Sequence, residues 1–304
     1  MKIIPIYYHL VSNAKNPLVE NLYTFKDEAS FRRDLEALIK RYRVLDLEDI
    51  RAKRGGVVLT FDDGFAECYH TIFPILKQYN LPAFFFLNND FLDNRDMFYR
   101  AKISLIISKL KYESAQTQQK VADLLGCRVS QIKRKLLALR NANSRVLNSL
   151  LALVGIDIDK YLLQYQPYLT SVQIREMIEA GYYFGGHTHD HLRLKGLSPE
   201  EQVFRLIDST NDIAQRFGLD YKLCSLPHND KGVSRDVLRR VGQRVDYIFG
   251  GYGLGQDPES NYFRRISNEH KGVRIDRYIK MWRIVNFPCN KVRFIRNILK
   301  VNKR

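Results

Sequence analysis

The sequence predicts an α/β fold in which parallel strands alternate with helices, and two observations carry that expectation. Apolar runs of strand length recur along the 304 residues, most of them separated from the next by a stretch with helical spacing. Two of these runs end in polar motifs: Val57-Val58-Leu59 leads into Thr60-Phe61-Asp62-Asp63-Gly64, and Tyr182-Tyr183-Phe184 leads through Gly185-Gly186 into His187-Thr188-His189-Asp190-His191. Chemistry gathered at the carboxyl ends of strands suits a parallel barrel. An open doubly wound sheet is the alternative, and periodicity by itself does not separate the two.

Taken in order, Ile3 to Tyr8 reads as the first strand with His9 at its end. Phe31 to Tyr42 carries apolar residues at helical spacing (Phe31, Leu35, Leu38, Ile39), and a short strand at Val44-Leu45 follows. After the Asp-Asp-Gly strand a helix is expected from Ala66 to Tyr79, then the run Ala83-Phe84-Phe85-Phe86-Leu87, continuous enough for a strand buried on both faces. From about residue 93 to 167 the alternation stops. Only helices are expected there: Met97 to Leu110, Gln118 to Leu125, Ser130 to Leu139 with Ser130 as N-cap, and Arg145 to Val154. Alternation resumes with a helix from Ser171 to Ala180 and the His-rich strand end. A long helix from Pro199 to Phe217, closed by Gly218, comes next. Lys222 to Leu226, Val245 to Phe249 and Tyr262 to Ile266 read as strands, with a helix opening at Ser234 before the second of them. The expectation is one catalytic domain over residues 1–304 with a helical insertion at about 93–167.

Composition narrows the class. With 45% hydrophobic residues the chain can bury a sizeable core. The net charge of +16 invites an anionic partner, but the cations are scattered and clusters such as Arg239-Arg240 and Arg264-Arg265 are short, which reads as a solvated basic surface and argues against nucleic acid. Cys68, Cys127, Cys224 and Cys289 form no C-x-x-C pair and read as free thiols. The N-terminal apolar segment is too short for a signal-peptide core and no run spans a membrane, so a cytoplasmic location is expected. The stretch Lys291 to Arg304, with apolar residues among cations, would suit peripheral docking on an anionic membrane face.

The two motifs carry the chemistry. Successive strand residues point to opposite faces, so Asp62 and Asp63 share a site only where the strand ends and its backbone turns. Three of the seven histidines lie within residues 187–191. Neutral imidazole is a common zinc ligand, and two His with one Asp supply the three protein ligands of an open catalytic metal site.

These residues resemble the polysaccharide deacetylases of the NodB-homology type, whose first two motifs are T-F-D-D-G and H-[ST]-x-x-H. The resemblance implies a distorted (β/α)7 barrel, with Asp62 as general base and Asp63, His187 and His191 holding a divalent metal, most often zinc. Thr188 would be a supporting, substrate-side residue of the second motif, while His189 and Asp190 fall at variable positions. The family's R-x-P-[FY] motif is matched at Pro227 alone, which would stand with Thr188 on the substrate side. Ser225 stands where the base-orienting arginine is expected, and His228 where the aromatic is; the His228 main-chain N–H can still serve as an oxyanion donor. Arg205 and Arg175 are candidate substitutes for the missing cation. No L-x-H occurs in the C-terminal third, which leaves the general acid to His9, at the end of the first strand, or to His270. Trp282 is a candidate apolar wall for a sugar.

The function implied is metal-dependent removal of an acetyl group from a carbohydrate, for which a cytoplasmic intermediate of glycan biosynthesis, such as a nucleotide-linked or lipid-linked amino sugar, would be a fitting substrate. One rival is a metallo-β-lactamase-like hydrolase with an H-x-H-x-D-H signature, but His187 to His191 is one residue short of it and Asp62-Asp63 would be unexplained. The other is a deacetylase-like scaffold that binds glycan or nucleic acid without turnover, suggested by the missing arginine and acid motif.

Overall fold

A computed structural model of the chain describes residues 2–140, 144–253, 261–269 and 272–285. Seven strands among these residues close into a barrel in which every pairing is parallel. They are β1 (Ile3–Tyr8), β2 (Gly56–Phe61), β3 (Phe84–Leu87), β4 (Tyr183–Gly186), β5 (Leu223–Ser225), β6 (Tyr247–Tyr252) and β7 (Tyr262–Ser267). Closure is made by β1, which pairs with β2 on one side and with β7 on the other.

The period-two alternation of strand side chains sorts the sequence into a lumen and a helix-facing layer. Val57, Leu59 and Phe61 of β2 pack outward, in one cluster with Phe31, Leu35 and Leu38 of α1 (Glu28–Ile39) and with Tyr278 and Ile279 of α12 (Ile275–Val285). Val58 points the other way, into a lumen shared with Phe84, Phe86, Leu223 and Phe249. The Phe249 ring lies 5.9 Å from Phe84 and 5.2 Å from Phe86, across the barrel from non-adjacent strands. Aromatic filling closes the amino-terminal half of the lumen, so polar chemistry is confined to the carboxyl-terminal mouth.

Helix boundaries follow their caps. α9 (Ser171–Glu179) opens with a capping box between Thr170 and Gln173, and α10 (Pro199–Phe217) runs from the Ser198 cap to a left-handed Gly218. α11 (Arg235–Gly242) starts from the Ser234 cap. α1 begins three residues earlier than its apolar spacing suggests, because the Asp27 side chain accepts from Ser30 N. Between β3 and β4 lie α4 (Tyr99–Leu110), α5 (Ala115–Leu124), α6 (Ile132–Ala138), α7 (Ser144–Leu153) and α8 (Ile158–Tyr165), which form a separate apolar cluster with Phe65 and Tyr168.

Several expectations are corrected. Val44-Leu45 is not a barrel strand; Val44 makes one isolated bridge to Val57, and a short helix, α2 (Leu47–Arg51), follows it. The helix expected from Ala66 enters as a π turn over Cys68–Ile72 before α3 (Phe73–Gln78), where Pro74 removes a ladder donor. Ser130 is no N-cap; it sits inside a 3-10 turn, Val129–Gln131, ahead of α6. α8, which the sequence reading left out, had a signal in Asp157, whose side chain accepts from Lys160 N. Trp282 packs beside the outer cluster, 6.3 Å from the Tyr278 ring, and not at the mouth. His270, Cys289 and Lys291 to Arg304 lie outside the described residues.

Gly185 and Gly186 belong to β4 itself. A Cβ on Gly185 would stand 2.3 Å from the Leu223 carbonyl oxygen, and one on Gly186 would stand 2.7 Å from Thr210 N, so the glycines let β4 lie close to β5 and α10. Gly185→Ala should therefore lower stability by about 1–3 kcal/mol through forced overpacking. The check is the urea midpoint, and an unchanged midpoint would mean that β4 can shift without cost.

Candidate active site

The mouth is assembled from strand ends. Asp62 continues β2, with its N–H donating to the Tyr8 carbonyl at 3.0 Å, so its side chain keeps the inward parity of Val58 and Thr60. Asp63 and Gly64 then adopt left-handed backbone, φ +71° and +62°, and this turn is what brings two consecutive carboxylates to one side. A Cβ at Gly64 would approach Leu87 Cδ2 to 2.9 Å, so the turn needs glycine on both counts.

β4 delivers the histidines. Asn88, just past β3, donates from its amide to the carbonyls of His187 (2.7 Å) and Thr188 (3.1 Å), and Thr188 N donates to Ser209 Oγ at 3.1 Å. These bonds hold a segment in which Thr188 (φ +63°) and His191 (φ +54°) are left-handed. The Ser225 carbonyl lies 3.0 Å from His187 Nδ1 and accepts its proton, which leaves Nε2 with its lone pair facing inward. That Nε2 is 3.5 Å from Asp63 Oδ1, and His191 Nε2 is 3.2 Å from the same oxygen.

The donor atoms of Asp63, His187 and His191 all lie within 4.8 Å of one another. Asp63 Oδ1 is buried and accepts no well-formed hydrogen bond. Burial pushes the His187 imidazole down to about 4, so it is a neutral donor; burial alone would raise the Asp63 carboxyl, but His191 and its neighbours hold it well below the usual carboxylate range. The neutral His187 imidazole, the His191 imidazole and the Asp63 carboxylate converge as a donor set that fits a divalent cation.

Asp62 is held differently. Arg265 of β7 reaches across the lumen, Nη1 donating to Oδ1 at 2.8 Å and Nη2 to Oδ2 at 2.7 Å. The same guanidinium donates to Thr60 Oγ1 (3.1 Å) and Ser225 Oγ (2.7 Å), and it lies 4.9 Å from the centre of the Tyr7 ring. Asp62 and Arg265 are each 3% exposed. Burial alone would raise the Asp62 carboxyl, yet Arg265 keeps it below the ordinary value.

At the end of β1, between β2 and β7, His9 Nδ1 sits 2.9 and 3.0 Å from the two carboxylate oxygens of Glu269, which also accepts from His9 N at 2.8 Å. Burial alone would lower the imidazole, but Glu269 lifts it to about 9. The His9 ring stacks on Tyr23 at 4.5 Å.

Asp62, Asp63, His187, His191, His9 and His228 all line one cavity of about 470 Å³. His228 is left-handed (φ +60°), its Nε2 lies 3.2 Å from the His191 carbonyl, and its main-chain N–H has no acceptor among the described residues. Thr188 and Pro227 are buried and do not line the cavity; Thr188 shapes the histidine segment from behind. His189 turns outward to Asp208 (2.9 Å), and Arg205 pairs with Asp190 (3.0 Å). Arg175 stacks on Phe217 at 5.4 Å. Neither arginine is the cation at Asp62.

The sequence matches the polysaccharide deacetylase family model over residues 49–247, well over half of the chain. The chain belongs to the polysaccharide deacetylase family. Among solved structures, the Streptococcus pyogenes deacetylase PplD in complex with acetate aligns with a TM-score of 0.61 at 16% identity, covering 93% of this chain and 98% of that one. IcaB from Ammonifex degensii aligns at 0.57 and 14% identity, over 93% and 96%. The de-N-acetylase from Aggregatibacter actinomycetemcomitans aligns at 0.56 and 17% identity, over 92% and 99%. At such identities the likeness is one of fold, here the distorted (β/α)7 barrel. No curated protein matches the sequence.

For this polysaccharide deacetylase, sequence reading missed Arg265 and Glu269. Arg265 looked like surface charge beside Arg264, although alternation from Phe263 places it on the lumen face. Glu269 had no sequence signal, because its partner lies 260 positions away. Removing the guanidinium alone leaves a buried carboxylate uncompensated, so Arg265→Met should cost about 3–5 kcal/mol, and adding Asp62→Leu should recover much of that. Chemical denaturation of the two variants tests this; a double variant no more stable than Arg265→Met would mean that the pair is not the source of the loss.

Proposed function

We propose that this chain is a metal-dependent carbohydrate deacetylase that hydrolyses the N-acetyl group of an amino sugar. The observation that carries the reading is the Arg265-clamped Asp62 beside Asp63, His187 and His191, with Glu269-paired His9 lining the same cavity. The proposal takes residues 1–304 as one catalytic domain and the helices of residues 93–167 as an insertion that lends Phe98 to the cavity wall.

A divalent ion, zinc by the imidazole and carboxylate donors, would be held by Asp63, His187 and His191 and would supply Lewis-acid activation of the acetyl carbonyl and of water. The protein's own residues do the proton work. Asp62, kept ionised and in one orientation by Arg265, accepts the proton of the attacking water. The N–H of His228, which has no acceptor among the described residues, is available to the oxygen that gains charge. Protonated His9, its Nδ1–H fixed by Glu269, donates from Nε2 to the departing amine nitrogen. Arg265 and His9 thus take up the two roles that the absent arginine and L-x-H motifs left open, which favours an enzyme over a binding-only scaffold. Acetate release from N-acetylated and O-acetylated sugars, with and without chelator, tests the reading.

Two outcomes are expected. Asp62→Asn should lower turnover by about 10²–10⁴ while the bound-ion content stays near that of the parent, whereas Asp63→Ala should lose both. Ion content by elemental analysis beside steady-state rates separates the cases, and an Asp62→Asn enzyme of parental activity would remove Asp62 from the mechanism.

The pH dependence follows from His9. Glu269 holds its conjugate acid to about 9, so activity that needs this proton is retained below that pH and lost above it. In Glu269→Gln the alkaline limb of the rate profile should move to lower pH by about one unit or more. A limb that stays in place would mean that His9 is not the acid.

A further inference from the structure

Resting on the deacetylase reading, we infer that the cavity mouth is an anion site and that the substrate is an N-acetylated amino sugar carrying a phosphate or diphosphate. Three cations line the cavity from three separate segments: Arg100 in the first turn of α4, Arg193 in the segment after β4, and Lys231 in the segment after β5. Among the described residues no hydrogen bond or ion pair engages the side chain of any of them, and Lys231 bonds only through its main-chain N–H, to Asn229 Oδ1 at 3.0 Å. Other arginines near the barrel are committed elsewhere: Arg205 to Glu201 and Asp190, Arg274 to Asp276, and Arg265 to Asp62.

The charge balance of the cavity is layered. Deep in it, Asp62 is neutralised by Arg265 and Asp63 faces the two histidines. At the rim the carboxylate is Asp230, which accepts from the Tyr262 hydroxyl at 3.2 Å, against three cations. α4 reinforces the positive side, since its amino end has no side-chain cap and no acidic residue in the first turn, while Phe98 at its N-cap and Arg100 both reach the cavity.

Like charges gathered at one opening repel, and a neutral glycan would leave that repulsion in place. A phosphate removes it. Guanidinium groups match phosphate oxygens two at a time, and a lysine adds a third, mobile charge. The cavity volume of about 470 Å³ leaves room for an acetamido sugar at the Asp62 floor with its phosphate still beneath the rim. A nucleoside diphosphate and a lipid diphosphate present the same group, and the probes below distinguish them.

The experiment compares the ion-loaded parent with the triple variant Arg100→Gln/Arg193→Gln/Lys231→Gln. Substrates are uridine-diphosphate N-acetylglucosamine, a polyprenyl-diphosphate N-acetylglucosamine in detergent micelles, and neutral tri-N-acetylchitotriose. The parent should favour one of the phosphorylated sugars over the neutral trimer by at least about tenfold in kcat/KM, and the preference should shrink as salt rises. In the triple variant that ratio should fall by at least about tenfold, with the loss in KM, and Arg193→Lys should lose less than Arg193→Gln. The better of the two phosphorylated probes identifies the source of the phosphate. A neutral trimer cleaved as well as either phosphorylated sugar, with the triple variant leaving the ratio unchanged, overturns the inference and leaves the deacetylase reading standing. Acetate release from none of the three overturns the deacetylase reading. In that case calorimetric binding of the two phosphorylated sugars to Asp62→Asn still decides the anion site, and no tighter binding of either than of the trimer overturns it.

Discussion

The bidentate pair between Asp62 and Arg265 is the constraint on which the rest of the mouth depends. Two charges removed from water cost several kcal/mol each, and the cost is offset only where geometry is good and the remaining donors are used. Here Ser225 and Thr60 take additional guanidinium donors, and the rings of Tyr7 and Phe86 flank the group. The pair therefore joins β2, β5 and β7 above the Phe84, Phe86 and Phe249 filling of the lumen. An apolar replacement could close the barrel as well, but it would leave no ionised carboxylate at the bottom of the cavity.

Backbone conformation adds a second constraint. Asp63, Thr188, His191 and His228 are all left-handed without being glycine, and all four sit at or directly behind the site. Such residues cost of order 1–3 kcal/mol each and persist only when their surroundings over-determine them. Asn88 and Ser209 do this for the histidine segment, and Leu169, whose N–H donates to the Gly64 carbonyl at 2.9 Å, does it for the Asp-Asp turn. The donor convergence is thus preorganised by hydrogen bonds to the main chain, which side-chain rotation alone could not achieve.

The third element is the closure of the barrel. β1 and β7 are the first and last of the described strands, and their pairing sets His9 beside Glu269. A histidine whose charge is lifted by a carboxylate just past the neighbouring strand needs no local motif, because barrel closure brings the two together. Thr24, which donates from Oγ1 to the Glu269 carbonyl at 2.8 Å, steadies the same corner.

Much was determined by the sequence alone. Apolar runs and helical spacing placed the barrel strands, capping residues placed the long helices, and the adjacency of Asp62 to Asp63 and of His187 to His191 announced the donor set, because these relations are local and follow from backbone periodicity. Tertiary structure decided what is non-local. It supplied the cation at Asp62 from β7 where β5 has serine, it partnered His9 with Glu269, and it sent Arg205, Arg175 and His189 away from the site. It also reduced Val44 to a single bridge, since β2 already pairs with β1 and β3 and offers that segment no full strand edge. The physical reason is common to all of these: a closed parallel barrel brings together inward-facing positions from strands far apart in sequence, and which of them meet depends on register and closure, neither of which is written in any short stretch of the chain.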